Sequence, residues 1–293
     1  MSRNQDRLGL DTGPSQTETP AATTAAVGLG VPTGNNAPTF SWSVPTEFVE
    51  LPSEGVFYHP EHPLHNQKTV EIRFMTAKEE DILTSRSLLK EGVALDRMLQ
   101  NILIDKSIDV NSLLVGDKNA LLVAARRTGY GPEYSTSVTC PACLTQTEYT
   151  FDISEPPFNN YAKNAEEMGI IIENGVAIID LPMSNVRLGC RFLTGADETK
   201  LAKEMDRKVK RKMDSSTTTD AFRSFIVSVN GDDNLFTVET FIHAMPARDA
   251  RHLRTIYNKV VPNIDLSQDF SCTQCGHEAE MEVPLGVDFF WPK

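Results

Sequence analysis

VTCPACLTQTEYTF at residues 138–151 and FSCTQCGHEAEMEV at residues 270–283 are the two stretches that decide the fold of this chain. Each contains two cysteines separated by two residues, followed by alternating residues that are typical of a strand. One such turn presents two sulfurs to a metal ion, and two turns supply the four ligands of a tetrahedral zinc site. The pattern therefore predicts one structural Zn²⁺, with the ligands Cys140, Cys143, Cys272 and Cys275.

The spacing of the two cysteine pairs is unusual for a zinc ribbon. Pairs in a compact ribbon lie roughly 15–20 residues apart, whereas residues 144–271 separate these two. Loop-closure entropy grows only slowly with loop length, so the spacing does not exclude a shared metal ion. It predicts a clamp that joins the middle of the chain to its C-terminal end.

Two other kinds of cysteine site fit the sequence less well. A thioredoxin-like redox motif needs a βαβ context, but strand-like residues flank CPAC on both sides. A catalytic zinc site keeps one position open for water, and four thiolates leave none. His277 could replace one cysteine as a ligand, although a histidine exposed in the turn is favoured.

Composition and charge narrow the class of protein. The chain has 293 residues, is 40% hydrophobic and carries a formal net charge of −12. This balance disfavours wrapping of nucleic acid, which needs a basic surface. The apolar runs are too short to span a bilayer, and the first residues lack a signal-peptide core. We expect folding in a reducing cytoplasm, where paired cysteines favour a metal or redox site.

The sequence predicts an α+β fold in three parts. Residues 1–40 have the composition of a flexible arm, either inert or ordered on a partner. Residues 41–131 form an N-terminal α+β region. Residues 132–293 form a zinc-ribbon-like module whose insertion, residues 152–268, is mixed α/β and largely helical.

Local patterns predict the elements within these parts. Thr76 and Glu79 form a capping box that begins a helix ending at Leu89. Asn174-Gly175 marks a hairpin. Further strands are expected at 46–52, 69–75 and 185–194, and further helices at 94–105, 115–131, 195–213, 221–231, 237–245 and 247–261. We expect no internal repeat beyond the two cysteine half-sites.

Several other groups of residues have both a structural and a functional interpretation. His59, His62 and His65 could form a metal triad, but the prolines between them favour a solvated loop. The basic stretch 200–212 could bind an acidic partner or nucleic acid, but a solvated helix face is favoured. Cys190 is expected to be a buried thiol. Phe289, Phe290 and Trp291 either fill the core of this chain or bind a partner.

Five stretches together resemble a known family. They are residues 48–83, residues 113–131, the CPAC arm, residues 245–266 and residues 272–292. They resemble the baseplate proteins of T-even-type contractile-tailed bacteriophages, in particular the baseplate hub subunit, over roughly residues 45–293.

This resemblance implies a non-enzymatic structural protein of the central hub in the virion tail, made in the host cytoplasm. Its partners would be other baseplate or tail subunits in a symmetric assembly, with no small-molecule substrate and no membrane. A transient assembly chaperone of the hub is the alternative. A zinc-ribbon protein that binds nucleic acid through residues 200–212 is a distant third.

Overall fold

The computed structural model describes residues 43–210, 217–283 and 287–290. The predicted arm, residues 1–40, and Trp291 lie outside this part of the chain. The described strands are β1 (Thr46–Glu50), β2 (Thr69–Arg73), β3 (Glu133–Thr139), β4 (Gln146–Asp152), β5 (Ile171–Glu173), β6 (Val176–Asp180), β7 (Arg187–Arg191), β8 (Ile226–Val229), β9 (Ser267–Ser271) and β10 (Glu278–Glu282). The described α-helices are α1 (Ala77–Thr84), α2 (Arg86–Glu91), α3 (Ala94–Ile102), α4 (Val115–Tyr130), α5 (Tyr161–Glu167), α6 (Gly195–Lys210), α7 (Thr217–Phe225), α8 (Leu235–Ala244) and α9 (Ala247–Val260).

The strands form small antiparallel sheets, and the predicted α+β class is confirmed. β1 pairs with β2, β3 with β4 and β9 with β10, while a four-stranded sheet has the order β5-β6-β7-β8. Helices and sheets share one hydrophobic core, in which Ile72, Leu121, Phe151 and Leu253 have an exposed fraction of 1% or less. Within the described residues, no helix has both the length and the apolar character needed to cross a membrane.

The two halves of the described chain share a common series of elements. Each copy begins with an antiparallel hairpin, β1–β2 or β6–β7, whose second strand leads into a helix, α1 or α6. A later helix, α4 or α9, then precedes a Cys-x-x-C hairpin, β3–β4 or β9–β10. The expectation that only the cysteine half-sites repeat was therefore wrong.

The same capping arrangement recurs where each hairpin meets its helix. RFMTAKE at residues 73–79 and RFLTGAD at residues 191–197 place arginine, threonine and an acid at identical spacing. Arg73 donates two hydrogen bonds to Glu79, at 2.9 and 2.6 Å, and the Thr76 backbone N–H donates a third at 2.9 Å. Asp197 accepts the equivalent bonds from Arg191 and Thr194. These caps fix the angle between strand and helix twice over.

A buried aspartate holds the loop of each hairpin. Asp117, in the first turn of α4, accepts hydrogen bonds from the backbone N–H and hydroxyl of Ser53, at 3.0 and 2.6 Å. Asp249, in the first turn of α9, accepts bonds from the backbone N–H groups of Met183 and Ser184, both at 2.9 Å. Both aspartates have an exposed fraction of 0%. Each precedes the first cysteine of its own copy by the same number of residues.

Three local predictions need correction. The helix that begins after Thr76 ends at Thr84 instead of Leu89, because Ser85 has extended backbone (ψ 110°) and starts a new helix. The helix predicted over 221–231 ends at Phe225, and β-branched Ile226 begins strand β8 beside β7. Helix α5 lies in a segment for which no element was predicted.

The predicted Asn174-Gly175 hairpin is confirmed. Asn174 and Gly175 have φ values of 51° and 74°. Positive φ at both central positions is what a type I′ turn requires.

Candidate metal centre

The two cysteine pairs lie in equivalent turns of the two copies. Cys140 follows β3 and Cys272 follows β9, and each turn leads back into the partner strand of its hairpin. Because both turns join two strands, neither pair lies at the start of a helix, the context that a thioredoxin-like motif requires. This arrangement favours a metal-binding turn over a redox pair.

Backbone hydrogen bonds give both turns the same shape. The Cys140 N–H donates to the Thr145 carbonyl at 3.0 Å, and the Cys272 N–H donates to the His277 carbonyl at 2.9 Å. In each turn the residue after the second cysteine returns a bond of 2.9 Å to the carbonyl of the first. That residue has positive φ in both cases, 59° at Leu144 and 68° at Gly276. The turns thus aim both sulfurs of a pair in one direction.

The four sulfurs converge to a single cluster. All four lie within 4.8 Å of one another, with Sγ–Sγ distances of 3.7 Å between Cys140 and Cys275 and 3.8 Å between Cys143 and Cys272. For Zn–S bonds of about 2.3 Å, the corners of a tetrahedron lie about 3.8 Å apart. The cysteines are free thiols, so the cluster has the composition and the size of a four-thiolate zinc site.

The four sulfurs lie close enough together for neighbouring groups to shift the pKa values of three of them in different directions. Hydrogen bonds from the side chain and backbone of Thr145 lower the pKa of Cys143 to about 6, and backbone N–H groups of Cys275 and Gln274 lower the pKa of Cys272. The backbone of His277 lowers the pKa of Cys275, yet burial and the neighbouring sulfurs outweigh it and raise that pKa to about 12. Four thiolates at this distance need a positive charge between them, which a divalent metal ion would supply.

Side chains also hold the two hairpins against each other. The Tyr149 hydroxyl donates to the Asp269 carbonyl at 2.7 Å, and the Tyr149 ring packs edge-on against Phe270, with centroids 5.1 Å apart. Gln268 accepts a hydrogen bond of 3.1 Å from the Asp152 N–H and donates one back to the Asp152 carbonyl. The paired hairpins therefore form one platform beneath the cysteine turns.

The segment after each hairpin crosses to the other copy. After the first hairpin, the Asn159 amide donates to carbonyls at the end of α9, including that of Val261 at 3.1 Å. After the second hairpin, the Phe289 carbonyl accepts a bond of 2.8 Å from Arg126 of α4. Each copy thus completes the other, as subunits do across a two-fold interface.

The two predicted aromatic residues that the structure describes lie inside the chain. Phe289 and Phe290 each have an exposed fraction of 1%, and the Phe289 ring packs edge-on against Tyr134 at a centroid distance of 5.0 Å. Both side chains therefore fill the core of this chain, as the first of the two alternatives predicts. The partner-binding role of Phe289, Phe290 and Trp291 stays a prediction.

The remaining candidate residues lie outside the sulfur cluster. His277 contributes its carbonyl to the turn, while its ring is not part of the cluster of four cysteines. The His62 ring stacks on Tyr58 and bonds the Ser112 hydroxyl at 2.8 Å. Cys190 is buried, which raises the pKa of its thiol to about 12. In the basic helix α6, Lys208 pairs with Asp220 and Lys210 with Asp206, so part of its charge is neutralised.

Sequence reasoning missed the residues that connect the two copies. Arg126 is the most consequential, since it is 1% exposed and donates to the carbonyls of Phe289, Gly131 and Glu133. The two arginines directly after the apolar run ALLVAA of α4 were the signal that could have found it. Asp117 and Asp249 could have been found because each precedes the first cysteine of its own copy by the same number of residues.

Comparison with known proteins identifies the family. A family model described as T4 bacteriophage base plate protein matches residues 55–291. The chain belongs to this family. No curated protein and no solved structure gives a significant match. The match spans both cysteine pairs and both described copies of the capping sequence, so the features of the metal centre lie within the baseplate family's own region.

Proposed function

We propose that this protein is a non-enzymatic structural subunit of a phage tail baseplate, located in the central hub and held together by one zinc ion. The family match over residues 55–291 carries this proposal. The hydrogen bonds that the segment after each hairpin makes to the other copy support it, because they hold the two halves together as one unit. In this proposal the neighbouring baseplate and tail subunits are the partners, and the virion is the location.

Zinc is the metal that suits this centre best. Four sulfur ligands at tetrahedral distances favour Zn²⁺ over hard cations, which prefer oxygen. The ion would leave no open coordination position, and its role would be structural. It would link two turns that lie 129 residues apart, as counted from Cys143 to Cys272. Structural zinc contributes on the order of 10 kcal/mol to folding.

Metal analysis tests the zinc proposal directly. The purified full chain should contain one zinc per chain, and Cys272→Ser should lose that zinc and lower the melting temperature. Cys190→Ser is the matched control, because it removes a buried thiol outside the cluster and should keep the metal. A wild-type chain without metal, or a Cys272→Ser chain that retains it, would contradict the proposal.

Quantitative mass spectrometry of purified virions tests the baseplate role. A permanent structural subunit should be present in fixed ratio to other tail proteins. The alternative, a transient hub assembly chaperone, predicts the protein in infected cells and in baseplate intermediates but not in virions. Absence from both virions and intermediates would refute the proposal and its alternative together.

A further inference from the structure

Among the described residues, no strand pairs with the outer edge of the first hairpin, whereas the corresponding edge of the second hairpin is covered. In the second copy, β5 pairs with the outer edge of β6 and places Ile171 opposite Ile178. In the first copy, β1 has the position of β6, but its sheet contains only β1 and β2 among the described residues. In the part of the chain that the structure describes, the repeat therefore has one strand position that is filled in the second copy and open in the first.

The backbone of β1 is oriented to accept a further strand. The Phe74 N–H donates to the Pro45 carbonyl at 2.9 Å, and the Leu51 N–H donates to the Lys68 carbonyl at 2.8 Å. Since bonding alternates along an antiparallel strand, the amides of Thr46, Phe48 and Glu50 point away from β2. All three residues are exposed, and Phe48 has an exposed fraction of 66%.

The residues directly before β1 cannot cover this edge in the way that β5 covers β6. The β5–β6 turn uses Asn174 and Gly175, both with positive φ. Val44 and Pro45 stand at the same two positions before β1. Proline is fixed at φ near −65°, and a β-branched residue rarely adopts positive φ. A two-residue turn of the same type is therefore excluded.

We propose that a second copy of this chain covers the edge, by antiparallel pairing of β1 with the partner's β1 about a two-fold axis at Phe48. In this register Phe48 lies opposite the partner's Phe48, and Thr46 lies opposite the partner's Glu50. The pairing joins two hairpins into one four-stranded sheet. It also removes an exposed aromatic residue and an open edge, a combination that otherwise promotes aggregation.

The charges around β1 favour this self-pairing. Within the hairpin, Glu71 lies opposite Phe48, and Arg73 lies opposite Thr46. Across the dimer the acidic Glu50 faces an uncharged threonine on each side, since its neighbour in β2 is Thr69. No like charges face each other directly, so this register avoids the repulsion that destabilises cross-strand pairs.

Charge substitution at the axis tests the proposal. The wild-type chain should sediment as a dimer, and Phe48→Lys should be monomeric, because two ammonium groups would then face each other across the axis. Phe48→Glu alone should also be monomeric, whereas an equimolar mixture of the two variants should recover the dimer. Phe236→Lys, an equally simple change at an exposed aromatic residue, should remain dimeric.

Three outcomes would overturn the proposal. The first is a monomeric wild-type chain at the highest soluble concentration. The second is a dimer that Phe48→Lys leaves intact. The third is a dimer that deletion of residues 1–42 abolishes, which would assign the contact to that segment. Zinc content measured on the same samples separates this inference from the proposed metal centre, because the Phe48 variants should keep their zinc.

Discussion

At the scale of single residues, Arg126 joins α4 to the C-terminal end of the chain. Its guanidinium donates to three backbone carbonyls and lies 5.2 Å from the centroid of the Tyr130 ring. Arg126→Met would keep most of the side-chain volume but leave one buried and two partly buried carbonyls without this donor. We expect a loss of about 3 kcal/mol in the free energy of unfolding, measured by urea denaturation. Arg254→Met, at an exposed position of α9, should change it by less than about 0.5 kcal/mol. Equal losses of unfolding free energy in the two variants would contradict this role of Arg126.

The two capping carboxylates predict how stability depends on pH. Burial raises the pKa of Glu79 and of Asp197, but the paired arginine and threonine outweigh it and hold both pKa values at about 2. A lowered folded pKa contributes stability that is complete above the ordinary carboxyl pKa near 4 and is lost as the pH falls through about 2.

Glu79→Gln should therefore lower the free energy of unfolding by about 2 kcal/mol at neutral pH. It should also make the fall in stability between about pH 4 and pH 2 smaller than in the wild type. Denaturation curves at a series of pH values measure this, with the exposed Glu91→Gln as the control. An acid transition in Glu79→Gln that is as steep as that of the wild type would exclude the cap as its origin.

At the scale of elements, the two cysteine turns differ in one informative position. Leu144 and Gly276 occupy the same place with nearly the same positive φ, but only glycine adopts this conformation without a steric cost. Leu144 is 76% exposed, so packing of its side chain offsets little of this steric cost. Leu144→Gly should stabilise the chain by about 1 kcal/mol, and Gly276→Ala should destabilise it by a similar amount. Thermal melts of both variants test this, and a destabilised Leu144→Gly would contradict it.

Elements with strong local signals were predictable from the sequence. The capping box at Thr76, the Asn174-Gly175 turn and the break at Met245-Pro246 are fixed by neighbouring residues, and all three occur. Strand β8 was missed because its pairing with β7, which lies far away in sequence, overrides the local helical pattern. Helix and strand cannot be told apart by periodicity in so short an apolar run.

At the scale of the whole molecule, the cysteine set was predictable but the repeat was not. The two cysteine pairs share their spacing and their place before strands, so sequence alone brings them together. The shared capping sequences lie a different distance from the cysteines in the two copies, because loops and helices of different length intervene. Such unequal spacing conceals a repeat until the order of the elements and their hydrogen bonds are compared.

Metal removal should affect both copies at once. Under the zinc proposal, a chelator should reduce amide protection in β3–β4 and β9–β10 together, because each hairpin supplies half of the ligands. Helix α8, which lies outside both hairpins, should keep its protection. Hydrogen–deuterium exchange by mass spectrometry measures this. Loosening of one hairpin alone would contradict a shared ion.

The crossing of segments between the copies also has a consequence for synthesis on the ribosome. When Cys143 emerges, the first cysteine of the other turn, Cys272, is still 129 residues away, which takes roughly ten seconds or more to translate. Phe289, whose carbonyl accepts a hydrogen bond from Arg126, is synthesised later still. Throughout that interval the nascent chain presents an unmatched pair of thiols and an arginine that lacks one of its three carbonyl acceptors. The first half can therefore reach its final form only once nearly the whole chain has left the exit tunnel.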